Sequence, residues 1–382
     1  MELRVLEQQE HRYTRALWKS IFEEDTETFL DYYYKVKTQC NTIYVVEDQD
    51  EIRAMLQLNP YKLRVEDKQV KTHYIIGVAT EAAYRRKGLM GELLRKAMCD
   101  MYKHKEPFTF LMPAAEAIYL PYDFRFIYAQ KQATVRGRRS DIKIDVREAM
   151  AADTGKMVSL SRKIMPDRYQ VYAIRNKTYY ETMIQEQLSE AGGVALVHLK
   201  KKLIGMFAYS NEAGAEIREP LFLPGYEHYL EYAVYELIGD EKTEVPCFAC
   251  QCPDVDLQQE EKLQTRKPVI MARILCVESL LRTIKTKDNQ SMRCSFAIID
   301  PIIIGNNRIL IMEYNPSKQQ MEVRETEDSD GVFTIAAFTS FIFGYRTLDS
   351  IAQEEGVILT EQLKHELGKV QVLEHIFLNE IV

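Results

Sequence analysis

Between Arg85 and Gly91 the chain reads Arg-Arg-Lys-Gly-Leu-Met-Gly, which sets adjacent cations beside glycines. Ahead of it, His73 to Ala79 is apolar at consecutive positions and predicts a strand buried on both faces. Behind it, Met90, Leu93, Leu94, Ala97, Met98 and Met101 recur at spacings of three and four and predict a helix over Gly88 to Tyr102. A helix start leaves backbone N–H groups unpaired and carries partial positive charge. Glycines let an anion approach that backbone, and the basic side chains add attraction, so the turn suits a pyrophosphate. GxxxxGK[ST] and GxGxxG are both absent, which excludes a P-loop and a dinucleotide fingerprint. Gly77, inside the strand, marks a bulge or a close backbone approach. A strand edge there could pair with the amides of a pantetheine arm, and coenzyme A joins such an arm to a pyrophosphate.

Arg85-x-x-Gly88-x-Met90 after a buried strand resembles the acetyl-CoA motif of the GNAT acetyltransferases, with Met90 at a usually small position and Gly91 next. The longer run Val78 to Leu94 is similar to the Eis (enhanced intracellular survival) family. That resemblance implies a GNAT domain, a second degenerate GNAT-like domain and a C-terminal domain like sterol carrier proteins. It implies acetyl-CoA as cosubstrate and no metal. Val78 and Thr80 would face pantetheine, with backbone near Val78 meeting the thioester carbonyl. Arg85, Arg86, Lys87, Gly88 and Gly91 would line the pyrophosphate. The family's general acid is a Tyr closing a Phe-Gly-Tyr segment. Phe126-Ile127-Tyr128 matches it here, with Tyr122 as the alternative. The family's base is the C-terminal carboxylate, here on Val382, and the apolar ending of Phe377, Ile381 and Val382 suits a docked tail. Phe343-Gly344-Tyr345-Arg346 is similar to a segment of the carrier-like domain.

Glu24 and Asp25 could bind a cationic substrate, although such a run also suits a solvated helix start. Cys247, Cys250 and Cys252 offer three thiols without a fourth ligand nearby, so a strand using Cys as small filler is expected. Seven scattered cysteines argue against a disulfide framework and for a reducing compartment. A net charge of −7 disfavours a dedicated nucleic-acid partner. No secretory signal or membrane-length apolar run is visible, so a cytoplasmic protein without a membrane partner is expected.

These residues need elements to hold them. Strands are predicted over Thr42–Glu47, Ile52–Leu58 and Phe108–Met112, with helices over Gln8–Phe22 and Thr26–Val36. A second unit begins near Asp145, with strands Gly193–Leu199 and Leu203–Tyr209, helix Tyr226–Leu237 and strand Val245–Cys252. Its order repeats the first unit, as a diverged duplication would, but it lacks a counterpart of Arg85-x-x-Gly88. The third unit has antiparallel strands Cys294–Asp300 and Ile309–Tyr314 and helices Ala336–Phe343 and Leu348–Glu354. The fold class is α/β: two GNAT-like mixed-sheet domains (1–140 and 141–271) and an α+β sterol-carrier-like domain (272–382). The expected function is acetyl-CoA-dependent N-acetylation of a primary amine, aminoglycoside-like, polyamine or lysine-type, with a homo-oligomer possible. The rivals are a lipid or apolar-ligand carrier with a vestigial GNAT unit and an interaction scaffold.

Overall fold

The structure, a computed structural model, describes residues 1–211, 214–240, 242–250 and 264–380. Fourteen strands join in one sheet that runs through two units of the chain. In the first unit, β1 (Glu2–Val5), β2 (Thr42–Asp48), β3 (Glu51–Val65) and β4 (Lys68–Thr80) form an antiparallel ladder. Helices α1 (Arg15–Ile21) and α2 (Glu27–Val36) cover one face, and α3 (Leu89–Lys103) packs its Leu93, Leu94, Ala97 and Met98 stripe on the other. After α3, β5 (Phe108–Leu111) runs parallel to β4. The strand predicted to stop at Leu58 continues seven residues further. Asn59-Pro60 is a turn signal in isolation, but the pairing runs on through Pro60↔His73 to Val65↔Lys68.

The second unit repeats the plan. It places β7 (Ile144–Glu148), β9 (Gly193–Leu199), β10 (Lys202–Ser210) and β11 (Glu216–Phe222) in an antiparallel ladder. A helix over Tyr229–Ile238 then leads to β12 (Glu244–Phe248), parallel to β11. The strands that complete the two ladders are exchanged. β6 (Arg125–Arg136) follows the first unit in sequence yet pairs with β12. β13 (Gln264–Ile274) follows the second unit yet pairs with β5 of the first, and β6 and β13 pair with each other. A boundary drawn at 271/272 thus falls inside β13. Cys247 and Cys250 are buried at β12, and Cys252 lies outside the described residues.

The last unit has its own five-stranded sheet, with Met292–Ile299 antiparallel to Ile309–Asn315 as expected, and a buried helix at Ile335–Ile342. Phe296, Phe333, Phe338 and Phe341 pack together in its interior. From there the chain returns to the large sheet. Ile376–Phe377 pairs in parallel with β8 (Val171–Ala173), which also pairs with the far end of β3. Leu378, Asn379 and Glu380 are buried, so the tail is docked as far as it is described. Ile381 and Val382 lie outside the described residues.

Candidate active site

Two regions flank β4. The first is the turn into α3. Gly88 is the N-cap at φ 84°, and a β-carbon there would meet nothing within 4 Å. A left-handed backbone favours glycine, and the space beside it leaves the backbone approachable. No side chain caps α3, so its first N–H groups are open to a ligand. Arg85, Arg86 and Lys87 are exposed around this turn. Arg85 Nε donates to the Thr80 carbonyl at 3.3 Å, and the Lys87 ammonium lies 4.3 Å from the Tyr84 ring centre. Gly91 differs from its expected role. It is buried, and a β-carbon there would stand 2.5 Å from the Tyr122 hydroxyl. Its lack of a side chain admits Tyr122 against the helix start.

β4 and β5 share only the pair Tyr74↔Phe110. Past that pair the strands part, and the β5-facing edge of Ile75 to Thr80, including Val78 and Thr80, has no partner strand among the described residues. On its other edge β4 is paired with β3 through a register shift opposite Gly77 and Val78. Gly77 sits at φ +58°, and a β-carbon there would come within 2.6 Å of the Trp18 ring. Trp18 donates its indole N–H to Asp25 at 2.7 Å. Asp25 therefore holds the ring that covers the bulge, and neither it nor the exposed Glu24 lines the acidic cavity described below.

The two tyrosines separate. Tyr128 lies on β6, opposite Ile270 of β13. The strand order β4-β5-β13-β6 puts β6 three spacings from β4, roughly 14 Å at about 4.8 Å each. Tyr128 is buried near Phe377 of the tail, with no hydrogen-bond partner for its hydroxyl among the described residues. Burial, then Tyr169, Glu219 and Glu380, push its phenol well above the ordinary tyrosine range. Tyr128 thus stands by the buried tail, near Glu380, rather than at the Gly88 turn. Ile127 is in extended strand, whereas Asp123 has the left-handed φ of 63° that a glycine would occupy. Tyr122 remains as the phenol on the α3 side, its ring 5.5 Å from the Arg95 guanidinium. Arg273 of β13 fixes that corner. Fully buried, it donates to the Tyr122 carbonyl at 2.9 Å and pairs with buried Asp300 of the last unit at 2.5 Å.

The second region is a cavity of about 800 Å³ between the two units. Its walls come from β3, β4, α2, β11, the tail and a helix over Lys177–Ser189. Four glutamates line it. Glu106 faces His73 at 2.9 Å, and Glu186 pairs with Lys37 at 3.3 Å. Glu219 and Glu380 are 5% and 4% exposed. Glu219 pairs with buried Arg175 at 2.7 Å and accepts from Asn379 Nδ2 at 2.8 Å. Glu380 accepts from the Tyr179 hydroxyl and from the Asn379 N–H, each at 3.0 Å. Burial first, then neighbouring Glu219, pushes the Glu380 carboxyl up to about 7, partly opposed by Arg175. Sequence reading missed this cluster, because its members converge from separate elements and share no motif. Only the tail's apolar ending hinted at it.

Residues 2–127 match the acetyltransferase (GNAT) domain family, and residues 277–380 match the sterol carrier protein domain family. The chain carries a GNAT acetyltransferase domain. Solved structures agree along the whole length. A probable N-acyltransferase from Enterococcus faecalis V583 is 16% identical, with 96% of each chain covered and a TM-score of 0.81. A GCN5-related N-acetyltransferase from Anabaena variabilis is 12% identical over 97% of each chain, with a TM-score of 0.80. Eis1 from Mycobacterium abscessus is 14% identical over 97% of each chain, with a TM-score of 0.69. At these identities the likeness is one of fold. No curated protein matches the chain. The GNAT domain makes this an acyl-transfer enzyme and implies use of acetyl-CoA. Among the described residues no group of three His, Cys, Asp or Glu is placed to hold a metal, and no helix is long and apolar enough to cross a membrane.

Proposed function

We propose that the chain transfers an acetyl group from acetyl-CoA directly to a primary amine, with both substrates bound at once. The observation that carries this reading is the open turn at Gly88, with its uncapped helix start, beside a β4 edge without a partner strand. Arg85, Arg86, Lys87 and the N–H groups behind Gly88 take the pyrophosphate. The edge at Val78 and Thr80 takes the pantetheine amides by strand-like pairing. Acetyl-CoA supplies the activated thioester when bound. Tyr122 is the phenol placed on the coenzyme side to protonate the departing sulfur. The amine enters through the acidic cavity, where its proton passes to a carboxylate of the tail, on Glu380 or on the terminus at Val382. In the carrier-like unit, closely packed phenylalanine rings, mostly edge-on or tilted, occupy the interior, which favours the enzyme over the carrier.

The test is thiol release from acetyl-CoA across a panel of amines, with mass spectrometry for the acetylated product. Turnover with at least one amine is expected. A folded protein that fails to bind coenzyme A by calorimetry would rule the reading out.

A further inference from the structure

The charges around the cavity do not all cancel, and those left over describe the acceptor. Glu186 and Glu219 each have a cationic partner, Lys37 and Arg175, and Glu106 shares a hydrogen bond with the His73 imidazole. Arg218, also in the lining, is held by Glu190 and Glu216. That leaves Glu380. Its two hydrogen bonds come from neutral donors, and no Lys or Arg lies within ion-pair distance of it among the described residues. One guanidinium, Arg175, thus serves two buried carboxylates. Burying a charge without a partner is costly, so this corner favours one incoming cation. Tyr179 and Tyr61, also in the lining, add aromatic groups close by.

Lys62 and Lys71, cross-strand partners on β3 and β4, are leftovers of the other sign. Both are exposed, and neither has an ion pair or side-chain hydrogen bond among the described residues. A second ammonium on the acceptor would meet these lysines, which stand in the same lining as Glu106. An acidic group there would be attracted. The rest of the wall includes Val36, Pro60, Ile174, Met183 and Ala208, which suit a hydrocarbon stem.

Resting on the acetyl-transfer reading, we infer that the acceptor is a monoamine. It carries one primary ammonium on an apolar stem, seated at Glu380, and is favoured further by a distal acidic group near Lys62 and Lys71. Polycations such as polyamines and aminoglycosides are disfavoured. In the reaction the ammonium gives one proton to the Glu380 carboxylate. The neutral amine nitrogen then bonds to the acetyl carbon as the carbon–sulfur bond breaks; the departing sulfur takes the Tyr122 hydroxyl proton and leaves as the thiol of coenzyme A, and the second proton from the nitrogen restores Tyr122.

The experiment uses the full chain with four probes: phenethylamine, 5-aminopentanoate, spermidine and kanamycin. Binding is measured by calorimetry at pH 8 and turnover by thiol release. One of the two monoamines should bind and turn over at least about tenfold better than both polycations. Glu380→Gln should weaken monoamine binding by at least about tenfold, as expected for losing a charge-assisted contact. Lys62→Glu with Lys71→Glu should improve spermidine binding at least about threefold and weaken 5-aminopentanoate. Turnover that favours a polycation overturns this inference and leaves acetyl transfer standing. Monoamine binding that is lost in Glu380→Gln, without turnover of any probe, supports the site and counts against acetyl transfer. Monoamine binding unchanged in folded Glu380→Gln overturns the seat at Glu380.

Discussion

Glu380→Gln keeps the shape and the acceptor oxygen for Tyr179 but removes a charge. In the folded chain the wild-type carboxyl ionises near 7, against about 4.5 when unfolded. At about 1.4 kcal/mol per pH unit, the ionised form costs the folded state about 3 kcal/mol. The sign follows from the raised value. The folded chain holds this proton more tightly than the unfolded chain. Its stability relative to the variant is therefore greatest below pH 4.5, falls as pH rises through 7, and is level above that. The groups facing Glu380 are Glu219, Arg175, Tyr179, Tyr61 and Tyr128, and all remain in the variant. Urea unfolding at half-unit steps from pH 4.5 to 8 should show the variant gaining about 3 kcal/mol on the wild type across the window. The pH profile of kcat/KM should lose its limb near 7 in the variant. Stability curves that stay parallel from pH 4.5 to 8 would refute the claim that this carboxyl is buried and short of a cation.

Replacing Arg85 and Arg86 together with alanine should weaken acetyl-CoA binding at least about tenfold by calorimetry, with the thermal melt unchanged because both side chains are exposed. Tyr122→Phe should lower kcat by about a hundredfold or more with acetyl-CoA affinity spared, while Tyr128→Phe should leave most of kcat; the reverse order would return the acid to β6. Deleting Asn379 to Val382 strips Glu219 of the Asn379 amide and removes Glu380, so steady-state assays should find turnover largely abolished and coenzyme A binding retained. Arg273→Met strands the fully buried Asp300 and should cost about 3–5 kcal/mol in urea unfolding.

What could be read from the sequence was what lies close together in it. β4, the basic turn and α3 occupy one short stretch, so periodicity and glycine placement suffice to find the coenzyme turn. The repeated order of elements also shows, because each hairpin and its helix are local. The exchange of β6 and β13 does not show, since both are ordinary strands and only long-range pairing decides their neighbours. For the same reason the match of Phe126-Ile127-Tyr128 to a motif could not reveal that β13 would lie between Tyr128 and β5. The indole partner of Asp25 does not show either, because an acidic run has the same composition whatever it meets.

The exchanged strands also govern when this molecule can begin to work. As the chain leaves the ribosome, β5 is made early, but the strand that lies against it comes more than 150 residues later. Until then β5 and β6 present bare edges, the kind that recruit stray strands. The acidic corner waits longer still, for Asn379 and Glu380. A chain that stops short of β13 therefore holds the Gly88 turn without a finished sheet or the Glu380 corner. Loss of Asn379 and Glu380 should silence the enzyme as surely as loss of the turn, because the acidic corner goes with them.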